Sequence, residues 1–250
     1  MYKIVFSATG RTMKAADGIC SVFEDVKEID LSNRNFQPVQ LTAEDLCVVA
    51  VPVYGGRVPA PAVENILKIT AEGAKAVLVA VYGNRAYDDA LAELKAVCEK
   101  AGFACVAACA ALAQHSLITQ VAADRPDEQD KREPADFAAK IKNRYENGTL
   151  SGGVNVPGNV PREKASRLPL HPKADKSCTQ CGLCAAKCPA HAIPADNPSQ
   201  TDNDKCITCM RCVEVCPNHS RKFMPGLMAV AGPVMKKVWG KHTPNEFYID

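Results

Sequence analysis

The sequence predicts an α/β protein: a doubly wound parallel sheet of five strands, followed by a second, small α+β domain. Three observations lead there. Short apolar runs rich in Val, Ile and Ala alternate with helical patterns through the first 145 residues, in βαβαβ order. These runs are apolar almost throughout, which implies strands covered on both faces, as in a parallel sheet flanked by helices. Finally, eight of the 13 cysteines fall between Cys178 and Cys216, in a segment with too few apolar residues to build a core of its own.

Lys3 to Ser7, with Ile4, Val5 and Phe6 apolar before polar Ser7, reads as the first strand. Thr12 to Phe23 follows as a helix, with Met13, Ala16, Ile19 and Phe23 near helical spacing. Lys27 to Asp30 is a second, short strand, and the Val-rich run Leu46 to Pro52 a third. Pro61 to Ile69 reads as helix, Lys75 to Val81 as strand, Tyr87 to Ala101 as helix and Phe103 to Ala110 as the fifth strand. Residues 111 to 134 interrupt the rhythm with a mixed loop carrying His115, Ser116 and the polar run RPDEQDKREP, and Ala135 to Tyr145 is the last helix. From Gly148 to Pro172 the chain is rich in Gly and Pro and reads as a linker. The expected domains are thus 1–148, a linker 149–172, a cysteine-rich domain 173–222, and a tail 223–250 packed back on the first domain.

Composition narrows the function classes. The formal charge of +2 divides unevenly: residues 1–150 hold 17 Lys and Arg against 20 Asp and Glu, and residues 151–250 hold 13 against 8. Neither half has the long basic runs or interleaved aromatics of a nucleic-acid binder. The opening MYKIVFSATG reads as a strand, not a signal peptide. The apolar stretches Ala101–Ala113 and Phe223–Met235 fall short of the roughly 20 residues a bilayer span needs. A cytoplasmic location follows, where thiols stay reduced and clustered cysteines bind metal rather than pair as disulfides.

The cysteines form two runs, Cys178-x2-Cys181-x2-Cys184-x3-Cys188-Pro189 and Cys206-x2-Cys209-x2-Cys212-x3-Cys216-Pro217. Three thiolates two residues apart can wrap three irons of one cubane, while the fourth, set off by three residues and turned by proline, faces the other cluster. One [4Fe–4S] cluster would then take Cys178, Cys181, Cys184 and Cys216, and the other Cys206, Cys209, Cys212 and Cys188. Zinc is the weaker reading, because its sites show two CxxC pairs rather than two such runs. Over about 45 residues this region resembles the bacterial two-cluster ferredoxins. The remaining five, Cys20, Cys47, Cys98, Cys105 and Cys109, lack ligand spacing and read as small packing residues.

After the first strand comes Ser7-Ala8-Thr9-Gly10-Arg11-Thr12, leading directly into a helix. Hydroxyls, a glycine that lets the backbone approach, and free N–H groups at a helix N-terminus make an anion cradle. At the first strand-to-helix turn this loop resembles that of the flavodoxins, S/T-x-T-G-x-T, which holds the phosphate of FMN. The resemblance implies Ser7, Thr9, Gly10 and Thr12 as phosphate ligands. Arg11 stands where those proteins usually have Asn and adds a cation beside the phosphate. Two further loops end later strands, Pro52-Val53-Tyr54-Gly55-Gly56 and Tyr82-Gly83-Asn84-Arg85-Ala86-Tyr87. Their glycines permit close approach to a flat ring, and Tyr54 and Tyr87 offer stacking faces; the competing reading is turn chemistry and plain packing.

The order of domains is similar to flavodoxin-domain/ferredoxin-domain fusion proteins of anaerobes. It implies an electron carrier that passes single electrons between two [4Fe–4S] clusters and FMN, with redox proteins as partners and a homodimer left open. No acid–base or nucleophile constellation stands beside the loops. Two other classes compete: a flavin-dependent reductase of a small molecule fed by its own clusters, and a ferredoxin whose flavodoxin-like domain is an empty docking module.

Overall fold

A computed structural model describes residues 1–160, 170–241 and 243–250. Residues 161–169, part of the expected linker, lie outside the described residues. In chain order the elements are β1 (Tyr2–Val5), α1 (Arg11–Cys20), β2 (Lys27–Asp30), β3 (Val39–Gln40), β4 (Leu46–Pro52), α2 (Ala60–Ile66), β5 (Ile69–Thr70), β6 (Lys75–Tyr82), α3 (Ala90–Lys100), β7 (Ala104–Leu112) and α4 (Glu128–Glu146). Then come β8 (Lys173–Ala174), α5 (Leu183–Ala186), α6 (Arg211–Glu214), β9 (Arg221–Lys222), α7 (Pro225–Trp239) and β10 (Glu246–Ile249).

The main sheet has the order β10-β7-β6-β4-β1-β2. Its five strands β2, β1, β4, β6 and β7 are all parallel, which gives the 2-1-3-4-5 order of the flavodoxin-like doubly wound fold. The order reverses between β1 and β4, so the carboxyl ends of those strands open onto the crevice where such folds bind ligands.

Alternation along β4 explains why the strand is apolar throughout. Cys47, Val49 and Val51 enter one core with Ile66 of α2 and Leu91 and Leu94 of α3. Leu46, Val48 and Ala50 enter the other, with Ile19 of α1 and Phe137 and Ile141 of α4. Each fully buried Val, Leu or Ile contributes about 1.5–3 kcal/mol. The five cysteines outside the two runs are all buried and free. Burial pushes the thiols of Cys20 and Cys47 up to about 12, so both remain protonated packing groups.

Three departures from the sequence reading have physical causes. Helix α4 begins at Glu128, not Ala135, because Asp127 and Asp130 form a capping box: Asp130 N–H donates to Asp127 Oδ1 at 2.9 Å and Asp127 N–H to Asp130 Oδ2 at 2.9 Å. Pro134 lies inside the helix and packs over Gly18 of α1, where the absent side chain leaves room. Helix α7 likewise runs through Pro233, starting with Pro225 in its first turn. Beyond it, β10 adds a sixth strand, antiparallel to β7, with Phe247 opposite Cys109.

Candidate functional site

The cysteine-rich segment is an internal repeat in which equivalent residues stand 28 apart. Gln180 and Thr208 have φ of 56° and 53°, Gly182 and Met210 78° and 66°, and His191 and His219 51° and 49°. Left-handed backbone at matching positions, mostly in residues other than glycine, costs energy that the surrounding structure must repay. It turns the chain so that amides face the sulfurs. Ala192 N–H donates to Cys188 Sγ at 3.3 Å and Ser220 N–H to Cys216 Sγ at 3.3 Å, the same bond in each half. Thr208 N–H adds a bond of 3.4 Å to Cys206 Sγ.

Two cavities follow from this repeat. Cys178, Cys181, Cys184 and Cys216 line one, and Cys188, Cys206, Cys209 and Cys212 line the other. The fourth cysteine of each run therefore belongs to the other run's cavity. Burial pushes the thiols of Cys209 and Cys212 up to about 12. At Cys216 burial also acts upward, but N–H donors from Arg221, Ser220 and Asn218 outweigh it and lower the thiol.

The loop after β1 has the shape of an anion cradle. Gly10, at φ 79°, caps α1, and a Cβ added there would meet nothing within 4 Å. Ser7 Oγ accepts from Met13 N–H at 3.1 Å, tying the loop to the first helical turn. Ser7 and Thr12 are buried, whereas Thr9, Gly10 and Arg11 are half-buried. Arg11 donates to Gln114 Oε1 at 2.7 Å, and its buried Nε has no partner among the described residues.

The loops after β4 and β6 are built differently. Tyr54 and Arg57 exchange backbone hydrogen bonds of 3.0 and 3.2 Å across Gly55 (φ 59°) and Gly56 (φ 78°), so this pair of glycines forms a tight two-residue hairpin turn. Gly56 also lies against Asp88, whose Oδ2 would sit 2.3 Å from an added Cβ, and Gly83 lies against His115 with the corresponding distance 2.8 Å. Asn84 is buried; its Nδ2 donates to the carbonyls of Trp239 and Lys241, and its Oδ1 has no partner among the described residues. Arg85 pairs with Asp88 in an exposed ion pair. Tyr82 and Tyr87 meet edge to face at 5.4 Å and reach the tail: Tyr82 Oη donates to Pro244 O at 3.3 Å, and Tyr87 Oη donates to Glu246 at 2.6 Å and meets Tyr248 Oη at 2.9 Å. Pro52 and Val53 continue β4 into the first loop, where Val53 N–H donates to Val81 O at 2.8 Å.

Residues that motif reading passed over join the two domains. Arg211, between Cys209 and Cys212, donates through Nη1 to the carbonyls of Ser7 at 3.0 Å and Ala8 at 3.3 Å, and through Nη2 to Ser32 Oγ at 3.1 Å. Arg34 donates to Ala185 O and, at 2.9 Å, meets His191 Nδ1. Cys209 itself is buried within the first domain's core, with Ile207 and Tyr54 packed beside it. Burial raises the Tyr54 phenol well above 10, with Cys209 adding to the effect and Arg211 and Arg11 opposing it. Through Arg211 the cavity of Cys209 thus abuts the loop after β1, while Cys181 of the other cavity is exposed.

Residues 177–220 match the family model described as a 4Fe-4S dicluster domain. Among solved structures the chain is similar to the Streptococcus pneumonia TIGR4 flavodoxin, at 17% identity over 57% of this chain and 98% of that one, with a TM-score of 0.39. It is also similar to a Fusobacterium nucleatum flavodoxin bound to flavin mononucleotide, at 16% identity over 57% and 95%, with a TM-score of 0.35. No curated protein matches. Sheet order and cysteine module together define a flavodoxin-like α/β domain fused to a 4Fe–4S ferredoxin-type domain. Among the described residues no helix is long and apolar enough to cross a membrane.

Proposed function

We propose that the chain is a cytoplasmic electron-transfer iron–sulfur flavoprotein, passing single electrons through two [4Fe–4S] clusters to or from a bound FMN. The observation that carries this reading is the crossed sharing of eight cysteines between two cavities, the second of which abuts the loop after β1. When bound, each cluster supplies a one-electron centre and FMN a centre for one or two electrons. Cys178, Cys181, Cys184 and Cys216 hold the outer cluster, and exposed Cys181 marks the face that redox partner proteins meet. Cys188, Cys206, Cys209 and Cys212 hold the inner one. Ser7, Thr9, Gly10, Arg11 and Thr12 take the flavin phosphate, with Arg11 Nε free to turn toward it. The loops Pro52–Gly56 and Tyr82–Arg85 flank the ring, and Tyr87 shapes the second loop by anchoring it to the tail.

Anaerobic reconstitution with iron, sulfide and FMN, followed by absorption spectroscopy and quantification of iron and flavin, tests both cofactors together. Two four-iron clusters and one FMN per chain are expected; a single cluster, or zinc in place of iron, overturns the reading. One observation favours a second reading, a ferredoxin with a flavin-free docking domain: His115 against Gly83 and Asp88 against Gly56 close the ring side of the loops. Full iron content with no flavin retained after incubation with FMN selects it.

A further inference from the structure

For a loop to aim its N–H groups at an anion, the carbonyls of the same peptide units must point away from it, and they need donors of their own if they are buried. In the loop after β1, the peptide units in question join Ser7 to Ala8 and Ala8 to Thr9. Their N–H ends belong to Ala8 and Thr9, which donate to no other backbone group among the described residues. Their carbonyl ends, Ser7 O and Ala8 O, lie under the ferredoxin-type domain and accept from one group, Arg211 Nη1, at 3.0 and 3.3 Å. Arg211 Nη2 is held by Ser32 Oγ at 3.1 Å. Its Nε is buried without a partner among the described residues, and the acceptors it does have, two carbonyls and a hydroxyl, are neutral, so they leave its charge unneutralised. Flanking Arg211 in the chain are Cys209 and Cys212, which line the inner cavity together with it.

Resting on the function proposed above, we propose that Arg211 is a positioning residue that links the inner cluster to the flavin phosphate. Its guanidinium polarises the peptide units of Ser7 and Ala8, which strengthens the donors Ala8 N–H and Thr9 N–H toward the phosphate. The same cation stands beside the inner cluster and favours its reduced, more negative form. Both anions draw on one charge, so each weakens the hold of the other: bound phosphate makes the inner cluster harder to reduce, and the reduced cluster binds FMN less tightly. Linkage requires the two effects to be equal. A tenfold loss of FMN affinity on one-electron reduction of the inner cluster corresponds to a shift of about 59 mV in that cluster's potential.

The test begins with wild-type holoprotein, in a dithionite redox titration of both clusters followed by electron paramagnetic resonance, in the presence of FMN, of riboflavin (which lacks the phosphate), and of neither. FMN should move one cluster's potential negative by an amount on the order of 59 mV, while riboflavin moves neither. Arg211→Gln, checked for full iron content, should weaken FMN binding at least about tenfold and shift the inner cluster alone to a more negative potential. Arg211→Lys should restore most of the potential but less of the affinity, because an ammonium cannot serve Ser7 O and Ala8 O as a fork does. Unmoved cluster potentials with FMN bound to the wild type overturn the proposal, as do equal potentials in the Gln and Lys variants. Failure of the wild type to bind FMN overturns the functional reading itself, and this inference with it.

Discussion

Arg221 is only 2% exposed, although a guanidinium is costly to bury. It is tolerated because the loops around it present acceptors: Thr201 Oγ1 at 2.7 Å, Gln200 O at 2.8 Å, Pro172 O at 3.4 Å and Pro198 O. It lines the outer cavity, and its charge acts downward on the thiols of Cys206 and Cys212 at the inner one. Arg221→Met should leave those acceptors unpaired and cost about 3 kcal/mol or more. Anaerobic denaturation with iron retention as the readout checks this, and an unchanged midpoint with full iron content contradicts it. His115 makes a second prediction at this scale. Burial first, then the charges of Arg11 and Arg85, lower its imidazole to about 4, and its ring stacks on Trp239 at 5.9 Å. Its Nδ1 accepts from the N–H groups of Leu117 and Ile118 at 3.1 and 3.2 Å, which also favours the neutral form. As pH falls below 6.5 the unfolded chain takes up the proton first, so folding stability drops until about pH 4 and levels off below it. Between pH 7 and pH 5 the wild type should lose about 2 kcal/mol more than His115→Gln, measured by urea denaturation at the two pH values; parallel losses rule it out. The cysteine runs, and the repeat that folds them around two cavities, were legible because their spacing is local along the chain. Arg211 and Arg221 were not, because their partners are carbonyls of loops far away in sequence, and nothing in a run such as Cys-Met-Arg-Cys tells which loop will lie beneath it.

At the scale of elements, strands β4, β6 and β7 could be read because burial on both faces leaves them almost continuously apolar. Helix α7 and strand β10 could not, for two different reasons. Pro225 and Pro233 look like breaks, yet the first sits in the opening turn and the second faces outward on a helix with little packed against it. Strand β10 is a four-residue run with Glu246 at its head, and only its pairing with β7 makes it a strand. That pairing covers the β7 edge and supplies Asn245 Oδ1, which accepts from the buried Leu112 N–H at 2.8 Å. Truncation after Gly240 should therefore orphan that N–H, release Tyr87 from Glu246, and bare a sheet edge. The loss should be at least about 2 kcal/mol, accompanied by self-association on size-exclusion chromatography. A truncated chain that stays monomeric with an unchanged thermal midpoint contradicts this role. The outer face of α7 gives a contrasting expectation. Val230 and Val234 are 72% and 54% exposed, so Val230→Glu and Val234→Glu should each stay within about 0.5 kcal/mol of the wild type.

Across the whole molecule, charge has to be counted with the cofactors in place. The chain alone carries a formal +2, with its Lys and Arg excess in the second half. Each oxidised cubane with four thiolates carries roughly −2, so the two proposed clusters would bring the total to about −2, and an FMN phosphate would lower it by up to about 2 more. The arginines are placed accordingly. Arg221 lines the outer cavity, Arg211 joins the inner cavity to the loop after β1, and Arg11 lies in that loop. Each of the three has a buried Nε without a partner among the described residues. Three guanidiniums with spare donor capacity fit anions bound at the two cavities and at the loop after β1, and with the proposed clusters and FMN in place those anions would turn a chain of positive formal charge acidic. Native electrophoresis at neutral pH should show it directly. The chelator-treated, reduced chain should migrate toward the cathode, the cluster-loaded chain toward the anode, and the FMN-loaded chain further still. If loading with iron and sulfide leaves the direction of migration unchanged, the clusters are not adding the negative charge that eight thiolate ligands require.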